Sequence, residues 1–327
     1  MSLQTLLGEL RELIENRLDG KGVNLPEVRQ QYVSFVQDQM PGRAYSHFPD
    51  DMDRWFEQLF DTLSAEMMAD VHQLALVDLM LSSLRSLDSQ RPEDNSVCVN
   101  TLPMVVIESV KEWFTYLADS MAAGDYEPDV TSDLFRKDLA ISALNMWPSG
   151  SICHYEPRAL PRRFLTANGI TQFVSAADML LRKIKDRQQM YELHMEDRRT
   201  NPHFLEAGWR EFYLEIAQRM KSEPQISGIF AQSWFWDAEV IQASSKMAYL
   251  RNLPESGGAS FYLLEACDDA EHVALQNKKR RRLFEEGKYT PKSYLMIWPR
   301  EALLRWAKGQ QPIQTTLTDC HHSVQSK

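Results

Sequence analysis

The sequence predicts a mixed fold, in which an all-helical N-terminal domain precedes an α/β domain with a mixed or largely antiparallel sheet. Apolar residues recur with helical spacing in the first half, whereas β-prone aromatic stretches alternate with amphipathic helices in the second. Residues 146–164 separate the two patterns with four prolines or glycines, which favour turns and short strands. We expect an acidic helical domain over 1–146, an α/β domain over 147–310 and a disordered tail over 311–327.

The helices of the first half are predicted from apolar spacing and from start signals. Pro26 can open a helix, because its missing N–H would have no partner there. Acidic residues in 48–55 favour the start of another helix, and 89–96 has the composition of a loop. The predicted helices cover residues 2–18, 26 to about 40, 48–87, 102–123 and 131–145.

The second half alternates between β-prone and amphipathic segments, which predicts a central sheet covered by helices. The predicted strands cover residues 190–195, 227–237, 258–266 and 292–300. The predicted helices cover residues 171–188, 203–221, 239–250, 268–287 and 300–309.

The charge is distributed unevenly along the chain. Residues 1–150 hold 11 Lys and Arg against 25 Asp and Glu, a net charge of −14, and the remainder holds 25 against 21, a net charge of +4. An acidic half is a poor nucleic-acid surface, because such binding needs a basic footprint. We expect no nucleic-acid partner, a small anionic ligand on the second half and a possible protein partner on the helical half.

The chain is expected to be a soluble, cytoplasmic protein. Its N-terminus mixes acidic residues with leucines, unlike a signal peptide. The longest apolar run, 74–84, is too short to span a bilayer. The cysteines form no CxxC pair, which favours reduced thiols over disulfides or a zinc site; they are Cys98, Cys153, Cys267 and Cys320.

The segment YELHMEDRRTNPHF, residues 191–204, contains the first candidate site. His194 and Asp197 follow a predicted strand, where ligands bind in α/β sheets, and could form an oriented general base. Positively charged side chains just before a helix favour the binding of an anion. We therefore predict that Arg198, Arg199 and Asn201 bind the ligand. The alternative is structural: Asn201 caps the helix and Asp197 pairs with an arginine.

The segment SWFWD, residues 233–237, ends the next predicted strand. Ser233 and Asp237 could supply the polar groups of a pocket there, beside His194 as proton acceptor. The alternatives are that the aromatic residues are core and that Asp237 caps the following helix.

Residues 278–282 are five consecutive cations, some of which could bind a phosphate or carboxylate group. Because arginine suits bidentate binding, we predict that Arg281 and Arg282 bind the anion. A solvated helix face is the alternative. No metal site is predicted, because Glu66 and His72 are six residues apart and the helical half has no ExxH pair. No nucleophile elbow, P-loop or dinucleotide motif is present.

The order of elements over residues 190–265 resembles the core of the GNAT acyltransferases, over about a quarter of the chain. In that family, a strand–loop–helix unit binds the pyrophosphate of acyl-CoA, and the next strand splays away to admit the thioester. The resemblance implies that the loop is EDRRTNPHF, residues 196–204, and that the splayed strand is IFAQSWFWD, residues 229–237. The family's glycine-containing loop motif is absent between Asp197 and Leu205.

The resulting functional hypothesis is a GNAT-like transferase that moves an acyl or similar group from an anionic donor, such as acyl-CoA, to a small-molecule acceptor. The first alternative is a non-catalytic binding or scaffold protein with a degenerate enzyme fold. The second is a metal-dependent oxygenase centred in the helical half.

Overall fold

A computed structural model describes residues 1–22, 24–39, 64–89, 102–129, 132–149, 153–184, 189–195, 198, 205–266 and 274–310. It has a mixed α+β architecture, in which N-terminal helices are followed by an open, six-stranded mixed sheet. The predicted helix start at 48–55 and the tail at 311–327 lie outside the described residues, as does nearly all of the loop at 89–96.

Within the described parts of residues 1–146, helices are the only regular elements, and residues 65–89 contain no strand. The first helix begins after Ser2, whose side chain accepts a hydrogen bond from the Thr5 amide. The fourth ends at Gly124, whose positive φ of 76° suits a residue without a Cβ atom. The five helices described here are α1 (Leu3–Leu18), α2 (Leu25–Gln39), α3 (Ala65–Ser89), α4 (Met104–Ala123) and α5 (Asp133–Ser142).

The sheet has the strand order β1-β2-β3-β4-β6-β5. Its β3–β4 pair is parallel, and the other neighbouring strands are antiparallel. The strands are β1 (Trp147–Ser149), β2 (Cys153–Arg158), β3 (Met190–Met195), β4 (Gly228–Ser233), β5 (Ser260–Ala266) and β6 (Lys292–Pro299).

Helices cover both faces of this sheet. One face packs on α6 and the π-helical turn that continues it, and the other packs on α7, α9 and α11. The helices of this half are α6 (Gly169–Asp178) with its π-helical turn (Met179–Ile184), α7 (Glu206–Ser222), α8 (Ala238–Ala243), α9 (Ala248–Ser256), α10 (Lys278–Glu285) and α11 (Arg300–Gly309). None of the described helices is long and apolar enough to cross a membrane.

The structure differs from the sequence-based boundaries around β4. The strand predicted over 227–237 ends at Ser233, and Trp234–Trp236 form a 3-10 turn. Ser233 Oγ accepts a hydrogen bond from the Phe235 amide, and this local bond competes with continued strand pairing. The helix predicted over 239–250 is divided into α8 and α9.

One hydrophobic cluster extends from the N-terminal helices through the sheet to α11, so the two halves share a core. At their contact, α4 packs against β1 and α7. The carboxyl group of Glu215 on α7 is buried there, and Ser109 Oγ donates a hydrogen bond to it at 3.2 Å. Burial raises the pKa of Glu215 to about 7, because a desolvated carboxylate is disfavoured. The division into two domains stays a prediction.

Glu215→Gln should remove one source of pH dependence from the stability. Between about pH 4.5 and pH 7, Glu215 holds a proton in the folded chain but not in the unfolded chain. The contribution of Glu215 to stability therefore decreases as the pH rises through this range. The difference in the free energy of unfolding between Glu215→Gln and the unchanged chain should grow by roughly 3 kcal/mol across that pH range. Urea unfolding from about pH 5 to about pH 8 measures it.

Glu301→Gln, the same substitution at an exposed position of α11, is the matched control. Equal pH dependence in the unchanged chain and in Glu215→Gln would contradict the assigned burial effect.

Candidate functional site

The parallel strands β3 and β4 separate towards their carboxyl ends. Their register pairs Tyr191 with Ile229 and Glu192 with Phe230, and no further pair is formed by the described residues of the two strands. Both strands continue for three more residues, which remain paired with their outer neighbours β2 and β6. The result is a wedge between two strands that are each held on the other side.

A cavity of about 220 Å³ occupies this wedge. Its walls combine the ends of both strands with aromatic side chains of α7 and of the turn after β4. The lining residues are Cys153, Leu193, His194, Met195, Trp209, Ala231, Gln232, Ser233, Phe235 and Trp236. The buried indole N–H of Trp236 has no hydrogen-bond acceptor within the described part of the chain.

The cavity brings together two of the residues that the sequence assigned to a crevice. His194 and Ser233 both line it, from β3 and β4 respectively. Asp237 is not among its lining residues, and its Oδ1 atom instead accepts a hydrogen bond from the Glu239 amide at the start of α8. Burial raises the pKa of Asp237. Asp197, the fourth predicted catalytic residue, lies outside the described residues.

A polar patch lies on the sheet next to this cavity. His154 is directly opposite His194, and Glu156 is directly opposite Glu192, in the antiparallel β2–β3 pair. Opposed residues point to the same face, and residues two apart along a strand do so as well. The four side chains therefore form a two-by-two array, which we call the His-Glu patch. It occupies the same face as Met190, which packs beneath α6 and the π-helical turn.

The His-Glu patch is largely shielded from solvent. His194 Nε2 lies 3.2 Å from Glu156 Oε1, and these side chains are 11% and 4% exposed. The ligand atoms of Glu156, Glu192 and His194 all lie within 4.8 Å of one another. The ring of His154 packs edge-on against Trp113 of α4, with centroids 4.5 Å apart. Imidazole and carboxylate groups in this arrangement can accept protons or coordinate a divalent metal ion.

Burial lowers the pKa of His194 to about 4, and Lys137 and Arg158 act in the same direction, against Glu192. At neutral pH the imidazole is therefore uncharged, and it is a weaker base than a histidine with the ordinary pKa. The sequence-based role of His194 assumed a pKa near neutrality, which the structure does not support. A neutral imidazole remains a good metal ligand.

Arg198 has a different environment from the one predicted. Its guanidinium donates two hydrogen bonds to the carboxylate of Asp138 on α5, at 2.8 and 3.0 Å, and lies 5.1 Å from the ring centroid of Trp113. This pair connects the chain after β3 to the helical half. Arg199 and Asn201 lie outside the described residues.

Arg281 and Arg282 lie on α10, which packs on α8, and neither lines the cavity. Arg281 Nε donates to the Leu275 carbonyl oxygen at 3.0 Å, and the exposed Arg282 pairs with Glu286 at 2.7 Å. The structure therefore does not bring them together with His194 and Ser233.

Sequence reasoning missed the His-Glu patch, although a signal was present. The triplets HYE (154–156) and ELH (192–194) each place one histidine and one glutamate on the same strand face. Only the sheet topology shows that the two triplets face each other in register.

In the comparisons with known proteins, no family model, no curated protein and no solved structure matches the chain.

Arg198→Met should destabilise the fold by about 3–5 kcal/mol, because it leaves the fully buried carboxylate of Asp138 without its bidentate partner. The double variant Arg198→Met/Asp138→Leu should recover part of this loss, since it removes both charges. Denaturant unfolding at neutral pH measures both effects.

Arg182→Met is the control, because the pair between Arg182 and Asp178 is exposed to solvent and should contribute no more than about 1 kcal/mol. Similar losses of stability for Arg198→Met and Arg182→Met would show that the buried pair contributes no more to stability than the exposed pair.

Proposed function

We propose that this chain is a transferase of the GNAT type, which moves an acyl or similar group from an anionic donor to a small-molecule acceptor. The observation that carries the proposal is the separation of β3 and β4 after Glu192 and Phe230, with a cavity in the wedge. The splayed strand implied by the resemblance is residues 229–237, and the loss of pairing after Phe230 within this segment supports the proposal.

The wedge suits an extended ligand that contains carbonyl and amide groups. Where two strands separate, backbone groups that would have paired across the gap become available to another extended chain. Trp209, Phe235 and Trp236 provide the apolar walls of the wedge. A thioester with an amide-containing arm has this combination of apolar and polar groups.

The order of elements suggests that the donor's anionic end would bind at the N-terminus of α7. Helix α7 follows β3 along the chain and returns it to the parallel strand β4, as in the strand–loop–helix unit of the resembling family. The N-terminus of a helix favours negative charge. Because the family's glycines are absent here, acyl donors other than acyl-CoA belong to the same proposal.

The reaction would be attack of an acceptor amine or hydroxyl on the donor carbonyl. A new bond forms to the carbonyl carbon, the bond to the donor sulfur breaks, and the thiol leaves with the proton that the acceptor loses. The lowered pKa of His194 argues against it as the proton acceptor at neutral pH.

Acyl-CoA should raise the melting temperature of the chain in a concentration-dependent manner, because a ligand that binds only the folded state stabilises it. At about 100 times Kd the stabilisation is about 2.7 kcal/mol, which corresponds to several degrees. Ala231→Leu should abolish the shift, since Ala231 lines the cavity and a leucine would fill the space. Thermal unfolding with acetyl-CoA, longer acyl-CoAs and free CoA measures the effect.

Ala123→Leu, the same substitution at the exposed end of α4, is the matched control and should keep the full shift. An unchanged melting temperature with every acyl-CoA would favour the alternative of a binding or scaffold protein. A full shift in Ala231→Leu would place the ligand outside the wedge and overturn the proposed site.

A further inference from the structure

The His-Glu patch has the donor groups of a metal site on a rigid support. Glu156, Glu192 and His194 project from two strands that pair at six positions, and their ligand atoms lie within 4.8 Å of one another. Groups on paired strands are held more firmly than groups on loops, which favours a preorganised site. The sequence analysis predicted no metal site, and Glu156 lies on a different strand from Glu192 and His194.

The distances suit a small divalent cation. A tetrahedral ion with ligands at about 2.1 Å requires the ligand atoms to lie roughly 3.4 Å from one another. His194 Nε2 and Glu156 Oε1 are already 3.2 Å apart. Rotation of the Glu192 side chain, which is 27% exposed, can bring its carboxylate to the same distance.

The charges of the patch also favour a cation. Glu156 and Glu192 are directly opposite each other on one face, an arrangement in which like charges repel. Arg158 Nε lies 3.6 Å from Glu192 Oε2 and opposes part of this repulsion. Lys137 also lies beside the patch, because its ammonium group donates to the carbonyl oxygen of Met195, the residue after His194, at 2.8 Å. A divalent ion between the two carboxylates would neutralise the negative charge of both.

We propose that Glu156, Glu192 and His194 bind one divalent metal ion of the Zn²⁺ or Mn²⁺ class. One neutral imidazole and two carboxylates are ligands that both ions accept. Three protein ligands leave an open coordination position for water or a substrate. His194 also lines the wedge cavity, so the ion would lie beside the proposed donor site. The inference does not rest on the acyl-transfer proposal.

The test uses the full chain after removal of metal with a chelator. Calorimetric titration with ZnCl₂ and with MnCl₂ should show one ion per chain for at least one of the two metals, and that metal should raise the melting temperature. Glu192→Gln and His194→Ala should each weaken binding by about tenfold or more, because loss of even an outer-sphere partner costs 10- to 100-fold. Circular dichroism confirms that each variant is folded.

Two controls separate this site from other metal-binding groups. Glu301→Gln, at an exposed position of α11, should bind metal like the unchanged chain. A cobalt-loaded sample should show d–d absorption without thiolate-to-metal charge transfer, because no cysteine belongs to the proposed ligand set.

Absence of binding would overturn the proposal and leave His194 and Glu156 as a hydrogen-bonded pair. Equal affinity in the unchanged chain and in folded Glu192→Gln would also overturn it. Neither outcome affects the acyl-CoA titration, which reports on the wedge cavity through Ala231.

Discussion

The early end of the β3–β4 pairing is the constraint on which the candidate site depends. β2 holds β3 along six residues, and β6 holds β4 along six, but the two strands pair with each other at only two positions. Neighbouring strands twist relative to each other, so two strands that are each held firmly on the outside can separate where their mutual pairing ends. The wedge is therefore produced by the sheet itself.

A buried arginine stabilises the closed end of this wedge. The guanidinium of Arg219 on α7 lies 3.9 Å from the ring centroid of Trp147, and it donates hydrogen bonds to the Tyr155 hydroxyl and the Glu223 carboxylate at 3.3 and 2.8 Å. Such charge-assisted and cation–π contacts are strong when shielded from water. They tie α7 to β1 and β2, and Glu223 in turn accepts a hydrogen bond from the Tyr191 hydroxyl of β3. Together they keep β3 in place where it pairs with β4.

The helical half takes part in the candidate site without lining the cavity. Trp113 of α4 contacts the ring of His154 and the guanidinium of Arg198, and Asp138 of α5 holds Arg198 through two hydrogen bonds. The ring of Trp113 therefore covers His154, one of the four residues of the His-Glu patch. Shielding lowers the pKa of His194 and makes a charged imidazole unfavourable there, which changes the chemistry that this residue can perform.

The sequence by itself determined the type and the order of most elements. Helical spacing predicted α1 and α4, and alternating β-prone stretches predicted β3 to β6, because these periodicities follow from local backbone geometry. It also placed His194 and Ser233 at the ends of neighbouring strands, where the structure has them. The short turn at Trp234 escaped prediction, because its aromatic residues favour a strand, whereas in the fold the Phe235 amide bonds locally to Ser233 Oγ.

Only the tertiary structure decided which distant groups meet. The register of β2 against β3 places Glu156 opposite Glu192, and no local property of either triplet specifies that alignment. Arg198 binds Asp138 sixty residues away, although its sequence neighbours indicated an anion-binding loop. Burial and partner choice depend on the packing of the whole chain, whereas periodicity depends on a few adjacent residues. For that reason the sequence predicted the elements, and the fold determined the chemical environment of their side chains.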